Sequence, residues 1–116
     1  MILQINVSQF KALLRSKKRF ALVDTLPETQ YAREHIPGAV SIPKDAIEKK
    51  APRMLGKDDL IVVYGKNMKS DSSERAAVKL ADLGYKHVVN FPGGLDDYRQ
   101  TRLPLEGRLH GAGEGN

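Results

Sequence analysis

Three short apolar runs constrain this chain more than anything else in it: residues 20–24 (FALVD), Leu60–Tyr64 (LIVVY) and His87–Phe91 (HVVNF). Each is too short for a buried helix and lacks the apolar–polar alternation of a half-exposed strand. Each therefore reads as a strand covered on both faces. Between the runs lie helical signals. Strands alternating with helices need crossover connections, so the sheet has to be mainly parallel and sandwiched between helices.

The remaining elements follow from local signals. Residues 3–7 suit a short edge strand, and Ser8 is placed to cap a helix with Phe10, Leu13 and Leu14 on its apolar face. Pro27 suits the first turn of a helix over PETQYARE, with Glu28 favouring the same end. Pro37-Gly38 turns the chain into a brief strand over residues 39–42, and residues 44–55 read as a helix interrupted at Pro52. Asp71 with Glu74 forms a capping-box-like start to a helix from Ser72 to about Leu83, ended by Gly84. A Pro92-Gly93-Gly94 turn leads into a last short helix over residues 95–101.

The 116 residues suffice for one core, and 41% hydrophobic with 28% charged residues suits a globular protein. One domain is expected over residues 1–106, followed by a flexible glycine-rich tail over 107–116. The net charge of +5 comes from short basic clusters without interleaved aromatics, so a nucleic-acid partner is not expected. No apolar run is long enough to span a bilayer, and MILQINVSQF lacks the pattern of an export signal. The expectation is a cytoplasmic protein with no membrane partner. The chain has no cysteine, and its three histidines show no metal-ligand spacing, so neither metal nor cofactor is expected.

The candidate site is IVVYGKNMKSDSSERAA, residues 61–77: a buried strand, a polar loop and a helix start. α/β proteins bind anions in this way, on loop amides and the helix N-terminus. The loop is Gly65, Lys66, Asn67, Met68, Lys69, Ser70 and Asp71. Gly65, where the strand ends, reads as a permissive glycine at a positive φ. Lys66 and Lys69 either attract an anion or are simply solvated. Arg75 either faces the loop or lies on the exposed side of its helix. Ser70, Ser72 and Ser73 offer hydroxyls, but no histidine in the loop can activate one.

Two stretches resemble the rhodanese-like domain family. LVDTLPETQYAREHIPGAVSIP is similar to its first signature, a strand, an acidic residue, a helix and a His-Ile-Pro-Gly-Ala turn. The segment from IVVYG to FPGGLDDYRQTRLPLEG is similar to its second half. The resemblance implies a three-layer α/β/α domain with a central, mainly parallel sheet of four or five strands. It also implies a cysteine after the VVY strand, which takes sulfur from a donor such as thiosulfate as a persulfide and passes it on. Here that position is Gly65, and Leu26 stands where an arginine is common. By the same resemblance Asp24 holds backbone amides near the site, and His35 organises its turn rather than acting as a base.

Three functions are left. One is a non-catalytic binding or regulatory module for a small anion (sulfate, phosphate or thiosulfate-like) or a protein partner. Another is a sulfurtransferase whose cysteine is replaced by Gly65 or supplied by a partner. The third and weakest is a serine-based hydrolase or phosphatase. The first is the reading the missing thiol favours.

Overall fold

A computed structural model describes residues 2–110. Five parallel strands, β1 (Leu3–Gln4), β2 (Ala21–Asp24), β3 (Val40–Ser41), β4 (Leu60–Tyr64) and β5 (His87–Phe91), form one sheet in the order β1-β5-β4-β2-β3. The three apolar runs are its three interior strands, as expected. Along β4, Ile61 and Val63 enter one core while Val62 and Tyr64 enter the other. Both faces are covered, which is why LIVVY shows no alternation.

On one face lie α3 (Ile47–Met54) and α4 (Ser72–Asp82), whose Ile47, Ala51, Ala76, Ala77 and Leu80 pack on Val23, Ile61 and Val63. On the other, α1 (Val7–Arg15) and α5 (Gly94–Gln100) bring Phe10, Leu95 and Tyr98 against Val62, Tyr64 and Phe91. Phe10 stacks on Phe91 at a centroid distance of 4.7 Å and meets Tyr98 edge-on at 6.0 Å. The α2 helix (Glu28–Arg33) follows β2 at the sheet's C-terminal end, and its Tyr31 packs against this second core.

Several local expectations change. Asn6, not Ser8, caps α1: its side chain accepts from Gln9 N–H and Gln9 returns a bond to Asn6 N–H, both at 2.8 Å. The chain is extended at Asn6, as reciprocal capping requires, whereas Ser8 is already helical. Pro52 does not interrupt α3, which runs through it to Met54 after a 3₁₀ turn over Lys44–Ala46. Pro52 and Glu48, whose carbonyl loses its partner, both lie on the exposed side, where water substitutes.

Of the expected tail, residues 111–116 lie outside the described residues. Arg108–His110 forms a 3₁₀ turn beside α2, where His110 Nε2 lies 2.6 Å from Glu34 Oε2. Among the described residues no helix is long and apolar enough to cross a membrane.

Candidate functional site

The loop of residues 65–71 leaves the C-terminal end of β4, the central strand, and enters α4, at the carboxyl ends of the strands where α/β proteins place their ligands. A cavity of about 670 Å³ lies at the opposite end of the sheet, among Lys18, Arg19, Asp58 and Asp59, and has no part in this site.

Gly65 is buried, and its φ is not positive, so backbone torsion does not demand glycine as expected. Space does. A Cβ at position 65 would sit 2.5 Å from Ser72 Oγ, while the next atoms, Ser70 Oγ and Ser73 N, would be at an ordinary 3.6 Å. The place of a side chain at position 65 is therefore taken by one hydroxyl. Ser72 Oγ lies 3.1 Å from Ser70 Oγ and 3.2 Å from Thr25 Oγ1, and Thr25 also donates to the Tyr64 carbonyl at 2.9 Å. This hydroxyl chain ties the ends of β2 and β4 to the start of α4. Thr25 and Ser72 carry it; the sequence offers the Ser72 hydroxyl without its partner, and nothing in it marks Thr25.

The loop's amides divide into two groups. Lys69 N–H donates to Asn67 Oδ1 and Ser70 N–H to the Asn67 carbonyl, both at 3.0 Å, so these two are spent inside the loop. The N–H groups of Lys66, Asn67, Met68 and Asp71 have no partner among the described residues. At the loop's other side α5 approaches closely: Leu95 and Asp96 N–H donate to the carbonyls of Gly65 and Lys66 at 2.9 Å. Gly94 makes this possible, since its φ is +58 and a Cβ there would collide with the Gly65 carbonyl.

Asp71 does not cap α4. Its φ and ψ of −97 and 5 are not the extended geometry from which a side chain reaches the first-turn amides. Its carboxylate instead accepts from Arg75 at 2.6 Å and faces Lys44 at 3.6 Å. The Arg75 bond, with Lys44 adding to it, holds the Asp71 carboxyl below its usual range. Ser70 Oγ takes up the Ser72 N–H at 3.3 Å. Arg75 thus pairs at the end of the loop on the exposed face, and it does not point into the loop's interior.

Lys66 is half-committed, 3.6 Å from Asp96, while Lys69 and the exposed Met68 have no side-chain partner among the described residues. Asn67 is the organiser: besides its two loop bonds it donates from Nδ2 to Asp96 Oδ2 at 2.9 Å. That bond, with Lys66 nearby, keeps the Asp96 carboxyl below its usual range.

Asp24 does hold backbone near the site. It is fully buried, accepting Leu26 N–H at 2.9 Å and Tyr64 O–H at 2.7 Å, and Tyr64 in turn accepts Ile36 N–H at 3.0 Å. Burial pushes the Asp24 carboxyl up, against the pull of these two donors, and burial followed by the Asp24 charge pushes the Tyr64 phenol up. His35 is stacked on Tyr31 at 3.8 Å and donates from Nδ1 to its carbonyl at 2.7 Å. Its backbone pairs with Glu106 in both directions, so His35 fastens the turn to the C-terminal segment. It does not touch the loop.

One cavity beside the loop, of about 330 Å³, opens on Thr25, Ser70, Ser72 and Lys44; another, about 280 Å³, lies on the Lys66 side between α2, α5 and the 3₁₀ turn of Arg108–His110.

The family model for the Rhodanese-like domain matches residues 6–101. The chain is 37% identical over 82 residues to thiosulfate sulfurtransferase PspE of Escherichia coli, covering 70% of this chain and 76% of that protein. It is 30% identical over 102 residues to adenylyltransferase and sulfurtransferase UBA4 of Candida albicans, and 28% over 95 residues to putative sulfur carrier protein YrkF of Bacillus subtilis. Each match covers 82% of this chain, but only 23% of the first protein and 50% of the second. Among solved structures, the rhodanese-like domain of Anabaena Alr3790 superposes with a TM-score of 0.85 at 26% identity, covering 97% of this chain and 84% of that one.

Proposed function

The chain belongs to the rhodanese-like domain family, and from that membership we propose that it is a non-catalytic binding or regulatory module. Its loop holds a small anion, or the acidic group of a protein partner, without sulfur transfer. One observation carries the reading: the space a nucleophile at position 65 would need is filled by the Ser72 hydroxyl. Persulfide chemistry requires a thiolate, and a sequence without cysteine has none.

The hydroxyls do not substitute for it. Ser70 and Ser72 hydrogen-bond to each other and toward Thr25, with no base within the cluster to take a proton. What the loop retains belongs to the main chain, namely the amides of residues 66, 67, 68 and 71 and the first turn of α4. Lys66 and Lys69 add positive charge at the rim. The expected cytoplasmic location is part of this reading.

The test is thiosulfate-to-cyanide sulfur transfer by the purified chain, beside Gly65→Cys and the double variant Gly65→Cys with Ser72→Ala. The unaltered chain should give no turnover above a heat-killed control. The double variant, with space and thiol both restored, should exceed Gly65→Cys alone. Turnover by the unaltered chain would contradict the proposal.

A further inference from the structure

The cavity on the Lys66 side of the loop has a composition of its own. Leu26, Leu95 and Leu109 give it apolar walls, and Arg33, Lys66 and Arg99 give it three cations. Its charges are not evenly compensated. Glu34, whose side chain is only 12% exposed, spends both oxygens, one on Arg99 Nη1 and one on His110 Nε2, each at 2.6 Å. Asp96 is shared among Asn67, Lys66 and, at 4.0 Å, Arg99. Arg33 has no side-chain partner among the described residues, and Lys66 is held only at 3.6 Å.

A guanidinium without a counter-ion among the described residues, a loosely held ammonium and three leucine side chains on one small cavity suit a particular chemistry. We propose that this cavity is a second binding site, distinct from the loop, which takes an organic anion: its carboxylate or sulfonate on Arg33 and Lys66, its apolar body on Leu26, Leu95 and Leu109. A planar guanidinium receives such a group through two parallel hydrogen bonds. At about 280 Å³ the cavity suits a compact molecule of one ring or a short hydrocarbon chain. An inorganic anion gains nothing from the leucine walls, so the two sites sort ligands by their apolar part. The inference does not need the loop to bind anything; the sites share only Lys66, at their common rim.

Isotope-labelled chain titrated separately with benzenesulfonate and with sulfate tests this. Benzenesulfonate should move the methyl signals of Leu26, Leu95 and Leu109 and the side-chain signal of Arg33. Arg33→Gln, a change at an exposed position, should weaken benzenesulfonate binding by about fivefold, the effect of losing one charged contact. It should leave any sulfate shifts at residues 65–75 unchanged. Leu109→Ser should likewise weaken benzenesulfonate alone. Benzenesulfonate that moves only loop amides, moves nothing at millimolar concentration, or binds Arg33→Gln as tightly as the unaltered chain would overturn the proposal. So would sulfate competing at the leucines with equal affinity. Failure of sulfate at the loop, with benzenesulfonate still on the leucines, would count against the loop reading and leave this one standing.

Discussion

Adding one methyl group at position 65 should be costly in this chain and beneficial in a chain without the Ser72 hydroxyl. In Gly65→Ala the new Cβ meets Ser72 Oγ at 2.5 Å, so the hydroxyl must leave its bonds to Ser70 (3.1 Å) and Thr25 (3.2 Å). Two hydrogen bonds at about 1 kcal/mol each are at stake. Against them stands a gain of about 0.4–1 kcal/mol, because alanine restricts the unfolded chain and φ at this position is compatible with it. The net cost is about 1–2 kcal/mol. In the Ser72→Ala background the hydroxyl is gone and the remaining neighbours lie at 3.6 Å, so only the gain is left. Urea unfolding of the four proteins gives the coupling directly, expected at about 2 kcal/mol. Equal costs of Gly65→Ala in both backgrounds would refute the claim that the Ser72 hydroxyl occupies this space.

Other expectations follow from the same contacts. Tyr64→Phe leaves buried Asp24 and the Ile36 amide each short of a partner and should cost about 1–3 kcal/mol in denaturant melts. Burial already raises the Asp24 carboxyl, so its protonation favours the fold and its contribution falls as pH rises above 3.8 through the raised value. Losing the Tyr64 donor should raise it further, which a carbon-detected carboxyl titration would show. Glu34 has the opposite sign. Burial disfavours its charge, but the bonds from His110 and Arg99 prevail and hold it below 4.5. Its stabilisation is present above 4.5 and is lost as pH falls through the lowered value. Glu34→Gln should therefore be less stable than the unaltered chain at pH 7, with the difference shrinking in acid melts. Gly94→Ala places a Cβ on the Gly65 carbonyl at a left-handed φ, a backbone clash no rotamer relieves. It should cost more than about 2 kcal/mol and shift the amide signals of Leu95 and Asp96.

The sheet was legible because burial on both faces writes itself into runs such as LIVVY, and the crossovers into the helical segments between them. The loop's position was legible for the same reason, as the point where the most apolar strand stops. What escaped was the part decided by side-chain geometry. A serine two positions from Asp71 or two from Ser70 looks the same in sequence. Only the structure shows that Ser72 turns toward Thr25, 47 residues away, and fills the space beside Gly65. Asp71 had the sequence of a cap, yet Arg75 and Lys44 outcompete the helix amides for its carboxylate. Glycine at 65 suggested a torsional need, whereas the torsional need falls on Gly94 across the contact. Pro52 reads as a break in any helix, and only its exposure makes it harmless.

The central claim, a loop that keeps its anion cradle after losing its chemistry, is tested most directly by titrating the labelled chain with sulfate. The amides without partners among the described residues, Lys66, Asn67, Met68 and Asp71, and the first turn of α4 should shift together, saturably, and less at high salt. Shifts scattered over surface lysines, or none within residues 65–75, would contradict it.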